Sequence, residues 1–149
     1  MKIKIIFLFL CFNSLSYAES YLKASNGITW DKNNQTYSAE GNVEFKNNEI
    51  KAFANNIVAF YLIENEKEIF QNVKLNEEVE IYYENEIFRS NSADYDKLKS
   101  LIILRGNVSI VSPDRYLSGD ELIVDLENNT RVLKTIGKDS LAEALIKDE

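Results

Sequence analysis

The chain has 149 residues, enough for one domain, with 17 basic and 24 acidic side chains and a net charge of −7. It holds no histidine and a single cysteine, Cys11, which excludes Ser–His and Cys–His nucleophilic centres and a His/Cys zinc site. The acidic balance argues against a nucleic-acid partner, which calls for a basic surface.

Residues 1–18 read as a cleavable signal peptide. Lys2 and Lys4 precede the apolar run "IIFLFLCF" (5–12), and "SYA" (16–18) offers small residues where a signal peptidase cuts. The run is shorter than the ~20 residues that span a bilayer; the alternative is an uncleaved membrane anchor. Cys11 lacks the small residues that precede a lipid-attachment cysteine. Cleavage leaves a domain starting at Glu19, without cysteine, with 15 basic and 24 acidic residues and so a charge of −9. Such a chain is held by apolar burial and backbone pairing, with no disulfide.

From there on, apolar residues alternate with polar ones. Tyr37, Ala39, Val43 and Phe45 share one parity, followed by Ile57, Ala59 and Tyr61, then Val73 and Leu75, then Val79, Ile81 and Tyr83. Ala93 and Tyr95, Leu101 and Ile103, Val108 and Ile110, and Leu122, Val124 and Leu126 continue the series. Period 2 with polar partners predicts strands with one dry and one wet face. Asn doublets at 33–34, 47–48, 55–56 and 128–129 punctuate them. With no helical period before residue 139, the pattern predicts an antiparallel all-β domain over 19–138.

The strand opening "GNV" occurs at 41–43 and 106–108, with an echo, "QNV", at 71–73. A shift of 65 also sets "NNIVAFY" (55–61) on "DELIVDL" (120–126). Gly41-Asn42 and Gly106-Asn107 are read as turns that introduce strands, in three short units whose apolar faces are buried by stacking. Residues 139–149 form a polar tail. Ser140 and Glu143 have capping-box spacing, so a short helix or a frayed end is expected.

Constellations that would carry chemistry are weak. Asp94 and Asp96 share a strand face, and Asp120-Glu121 and Glu77-Glu78 are adjacent; paired carboxylates serve glycosidases, but alternation already explains them as a solvated outer face. Residues 31–42 begin like a calcium loop but lack its glycine and closing glutamate. No catalytic group, metal or cofactor is expected. The aromatic set, including Trp30, Phe60, Tyr82 and Phe88, fills a core or lines an apolar groove suited to acyl chains.

Two long stretches carry a family likeness: "NGITWDKNNQTYSAEGNVEFKNNEIKAFANNIVAFY" (26–61) and "SADYDKLKSLIILRGNVSIVSPDRYLSGDELIVDLENNTRVL" (92–133). In order and spacing, the "A-x-G-N-V" strand start at Ala39–Val43, the "A-D-x-D" strand at Ala93–Asp96 and the close from Gly106 to Leu126 resemble the LptA (OstA-like) family of periplasmic lipopolysaccharide-transport proteins. The resemblance implies an open, twisted antiparallel β-jellyroll, the β-taco, and a non-enzymatic carrier in the outer-membrane biogenesis of a Gram-negative cell. In such a carrier an apolar groove holds the acyl chains of lipid A. Edge strands join protomers head to tail with one another and with LptC-like inner-membrane and LptD-like outer-membrane domains. Mapped onto this sequence, the groove lining is expected at Val43, Phe45, Ile57, Ala59, Tyr61, Val73, Leu75, Ile81, Tyr83, Tyr95, Ile103, Val108, Ile110, Leu122 and Val124. The chain is short for the family and acidic for an anionic glycolipid, so phosphorylated sugars are expected outside the groove, near Lys and Arg on its rim. The alternatives are an LptC-like membrane-anchored component, an edge-to-edge structural module without lipid, and a carbohydrate-active enzyme using Asp94 or Asp120.

Overall fold

In a computed structural model, which describes residues 19–148, the chain forms ten strands in one antiparallel sheet. Residues 1–18, where a signal peptide is expected, lie outside the described residues. The strands are β1 (Tyr21–Lys23), β2 (Gly27–Asp31), β3 (Thr36–Lys46), β4 (Lys51–Glu64), β5 (Lys67–Tyr83), β6 (Glu86–Asp96), β7 (Leu101–Ser112), β8 (Arg115–Asp125), β9 (Thr130–Lys134) and β10 (Glu143–Ile146). From β3 to β8 each strand pairs with the next through a tight hairpin. β1 and β2 both pair with β3 and form one edge; β9 and β10 both pair with β8 and form the other.

The Gly-Asn steps are not turns. β3 and β7 run straight through them, and the register shifts there. Gly41 (φ 80°) with Asn42 (φ 42°) and Gly106 (φ 81°) with Asn107 (φ 47°) adopt left-handed conformations. Each pair stands opposite a single residue on the neighbouring even strand, which makes a β-bulge. The third copy lies at Glu77-Glu78 (φ 65° and 53°), ahead of Val79, and not at the Asn72-Val73 echo. The shifts fall at 41–42, 55, 77–78, 91, 106–107 and 120, so the bulges line up across all six long strands.

That line is a crease. It divides the sheet into a major leaf (β2, the 36–40 part of β3, and onward to β9) and a minor leaf (β1, the 43–46 part of β3, and onward to β10). A flat sheet cannot dry its own face, yet the inward residues of both leaves are buried in one cluster. Ile57, Leu75 and Leu104 of the major leaf and Phe45, Ile81 and Phe88 of the minor leaf are all 0% exposed. The leaves are folded on each other, with the Phe45 and Phe70 rings meeting edge-on at 5.8 Å between them. Each such side chain contributes about 1.5–3 kcal/mol on burial. The architecture is an open antiparallel β-jellyroll.

The tail departs from expectation. Glu143–Ile146 is a strand on β8, with Leu145 opposite Tyr116. Four residues gain more by completing a free edge than by forming a single helical turn, whose nucleation is costly.

Candidate functional site: the interior between the leaves

Fourteen of the fifteen residues expected along the groove lie on the inward face. Val43, Phe45, Ile57, Ala59, Val73, Leu75, Ile81, Tyr95, Val108, Ile110, Leu122 and Val124 are buried at 0–2% exposure and Tyr61 at 3%, and Tyr83 packs against the same cluster while partly exposed. Ile103 does not belong with them. It faces outward, and the buried positions of β7 are its neighbours Ile102 and Leu104. "LIIL" (101–104) is apolar at every position and carries no parity of its own. Since β7 does not stop at Gly106-Asn107, the even parity of Val108 and Ile110 extends back to Leu104 and Ile102.

The interior opens at the edge formed by β1 and β2. There a cavity of about 560 Å³ is lined by Leu22, Ile28, Tyr37, Ile69 and Phe70, with Lys67, Glu68 and Lys97 at its rim. A ladder of rings leads inward from it. Trp30 stacks on Tyr37 at 5.7 Å and 4°, Tyr37 meets Phe70 edge-on at 5.8 Å, and Phe70 meets the buried Phe45. Trp30 Nε1 donates to the Tyr61 hydroxyl at 2.9 Å, which ties the edge strand to the interior. The Tyr37 hydroxyl donates to Glu68 Oε2 at 2.6 Å; burial first, and then that bond, push its pKa up to about 12.

Sequence reasoning missed most of this cavity. β1 has three residues and β2 five, too few for a secure alternation, although Ile28 and Trp30 do share a parity. Ile69 and Phe70 stand beside Gln71, an extra residue at a second register shift between Phe60 and Tyr61. Gln71 is 8% exposed, and its Oε1 has no hydrogen-bond partner.

The long open side faces away from the crease, where hairpin tips of the two leaves approach each other. Two cavities lie along it. One of about 470 Å³ is lined by Asn48, Glu49, Tyr83, Glu84, Lys97 and Ser100. The other, about 420 Å³, lies among Glu84–Glu86, Ser112–Arg115, Asn129 and Arg131. Both are walled mainly by polar side chains, unlike the apolar cavity at the β1–β2 edge.

The suspected acidic pairs have structural work on the outer face. Asp94 Oδ2 accepts from Arg105 Nη1 at 3.0 Å, and Glu121 Oε2 from Arg105 Nε at 3.3 Å. Asp96 Oδ1 accepts the Lys99 backbone N–H at 3.1 Å, and Asp120 Oδ2 that of Ile136 at 2.8 Å. Glu77 and Glu78 form the bulge of β5.

Comparison with known proteins agrees with this geometry. The solved structure of LptH from Pseudomonas aeruginosa, described as the LptA-homologous periplasmic component of the conserved lipopolysaccharide transport device, is similar at a TM-score of 0.75. The match covers 88% of this chain and 96% of that one at 9% identity, so it speaks for the fold. No curated protein matches the sequence. The model of the family described as "LptA/(LptD N-terminal domain) LPS transport protein" matches residues 22–130. That span contains the crease, the long strands and the whole ring ladder, and on it the chain belongs to the LptA/LptD N-terminal-domain family of lipopolysaccharide-transport proteins.

Proposed function

We propose that the protein is a non-enzymatic periplasmic carrier that holds lipid A acyl chains of lipopolysaccharide between its two leaves and hands them from inner-membrane to outer-membrane components. The observation that carries the reading is the continuous apolar path from the cavity beside Leu22 and Phe70 into the core at Phe45. Apolar burial supplies the holding force without a specific chemical group. Lys67 and Lys97 at the cavity rim suit the phosphorylated sugars, which stay in water. The edges at β1–β2 and β9–β10 suit head-to-tail pairing with further copies and with LptC-like and LptD-like domains. Export through residues 1–18 would place the carrier in the periplasm.

A photo-crosslinking amino acid at Phe70 tests this in living cells, with Lys74 on the outer face of β5 as control. Lipopolysaccharide is expected to be captured at Phe70 and not at Lys74. Equal capture at both positions, or none at Phe70, removes the reading.

A further inference from the structure

The interior is full. Its lining side chains are almost completely buried by one another, and close-packed interiors leave no room for an acyl chain. The cavity at the β1–β2 edge stands open beside this interior, with Leu22 and Phe70, which pack against the buried cluster, in its wall. Any deeper seat requires the leaves to part, and the crease is a natural hinge for that motion. Contacts that hold the leaves together at the opposite, open side therefore control access.

Polar contacts among the described residues do so at two places. At the β9 end, Arg131 of the major leaf reaches Glu86 of the minor leaf. Nη2 lies 2.5 Å from Oε2, and Nε lies 3.2 and 3.1 Å from the two carboxylate oxygens. Both side chains are more than four-fifths buried. The guanidinium is held from behind by Asn129 Oδ1 at 2.8 Å and lies 5.8 Å from the centre of the Tyr83 ring, also on the minor leaf. Midway along the opening, the Tyr95 hydroxyl of the major leaf donates to Glu49, and Asn47 Nδ2 donates to that hydroxyl at 3.2 Å. Asn47 Oδ1 accepts the Glu49 and Ile50 backbone N–H groups at 2.9 and 2.8 Å, which fixes the minor-leaf tip. Burial and Glu49 push the Tyr95 hydroxyl far above the ordinary phenol range, so it remains a donor.

We infer that Arg131–Glu86 and Tyr95–Glu49–Asn47 are two clasps across the open side of the jellyroll, and that lipopolysaccharide is taken up by parting the leaves as the clasps release. The inference rests on the carrier reading above and adds where and how the carrier opens. The clasps suit this task because they are polar. Released leaf tips regain hydration for Glu86, Arg131 and Glu49, which an apolar seam could not do. Parting from the β1–β2 edge, where the cavity already separates the leaves, meets the Tyr95 clasp before the Arg131 clasp.

A reversible bridge tests it. In the full chain with Cys11→Ser, Glu86→Cys and Arg131→Cys are joined by a bis-maleimide with a reducible linker, and uptake of fluorescently labelled lipopolysaccharide is followed before and after the linker is cut. Bridging is expected to slow uptake at least about tenfold, with recovery on cutting, because the open population falls by that factor. Glu86→Gln, which weakens the clasp without a bridge, is expected to speed uptake. Equal uptake by bridged and cut protein, with both binding, overturns the clasps and leaves the carrier intact. No binding by bridged, cut or parent protein overturns the carrier reading and the clasps together.

Discussion

At the scale of single residues, the crease depends on backbone conformation more than on side-chain chemistry. At Gly106 the φ of 81° is one that L side chains rarely adopt, and a Cβ there would stand 2.6 Å from Asn91 Nδ2. Gly41 is in the same position against Ser25 and Asn26. Glu77 performs the corresponding step without glycine and bears the steric cost of a left-handed residue. Opposite effects are therefore expected at equivalent sites. Gly106→Ala should lower stability by about 1–3 kcal/mol, whereas Glu77→Gly should raise it by up to about 1 kcal/mol. Urea midpoints at constant slope would show both, and a destabilised Glu77→Gly would mean that the carboxylate does something there beyond forming the bulge. This is also where the sequence was least readable. "GNV" marks two of the three copies, while Glu77-Glu78 offers no turn residue and Asn72-Val73 repeats the motif without a bulge.

At the scale of the element, period 2 was legible wherever polar residues separated the apolar ones, as in β3, the inner half of β4 and β5. It failed where they did not. Four apolar residues in a row at 101–104 leave the face undecided, and only the uninterrupted passage of β7 through its bulge assigns Ile102 and Leu104 to the core. Leu104→Ala should cost roughly 2–5 kcal/mol, as a buried leucine does, and Ile103→Ala only about 1 kcal/mol. Similar losses at both positions would contradict this assignment. β10 was misread for a different reason. Its Ser140–Glu143 spacing is a local helix signal, but the unpaired edge of β8 is a distant feature that no window of ten residues contains.

At the scale of the whole molecule, strand pairing runs between chain neighbours, but the core does not respect that order. Residues of both leaves form a single cluster, so neither leaf has an interior of its own. The prediction is cooperative loss of both leaves. Trp30, the only tryptophan, sits on the major leaf, whereas Phe45 is on the minor leaf. Phe45→Ala should move the Trp30 fluorescence transition and the overall loss of sheet to the same lower midpoint, by roughly 3–5 kcal/mol. A Trp30 transition that stayed in place would mean the leaves fold independently. The all-β class and most of the inward face were readable from alternation. The closing of one sheet upon itself was not, since it follows from three bulges falling into line across six strands, a property of registers between strands.

That alignment bears on how such a molecule changes length. Every long strand crosses both leaves, so an inserted hairpin of two strands adds two rungs to each wall of the trough at once. The Gly41 and Gly106 steps are two hairpins apart along the chain, at intervals of unequal span through Glu77. Loop lengths at the tips are therefore free to vary, provided the left-handed step recurs on every second strand. A single extra strand would reverse the chain direction and put the step out of phase. Proteins built on this plan should accordingly gain or lose strands in whole hairpins, with the width of the trough held constant and only its reach altered.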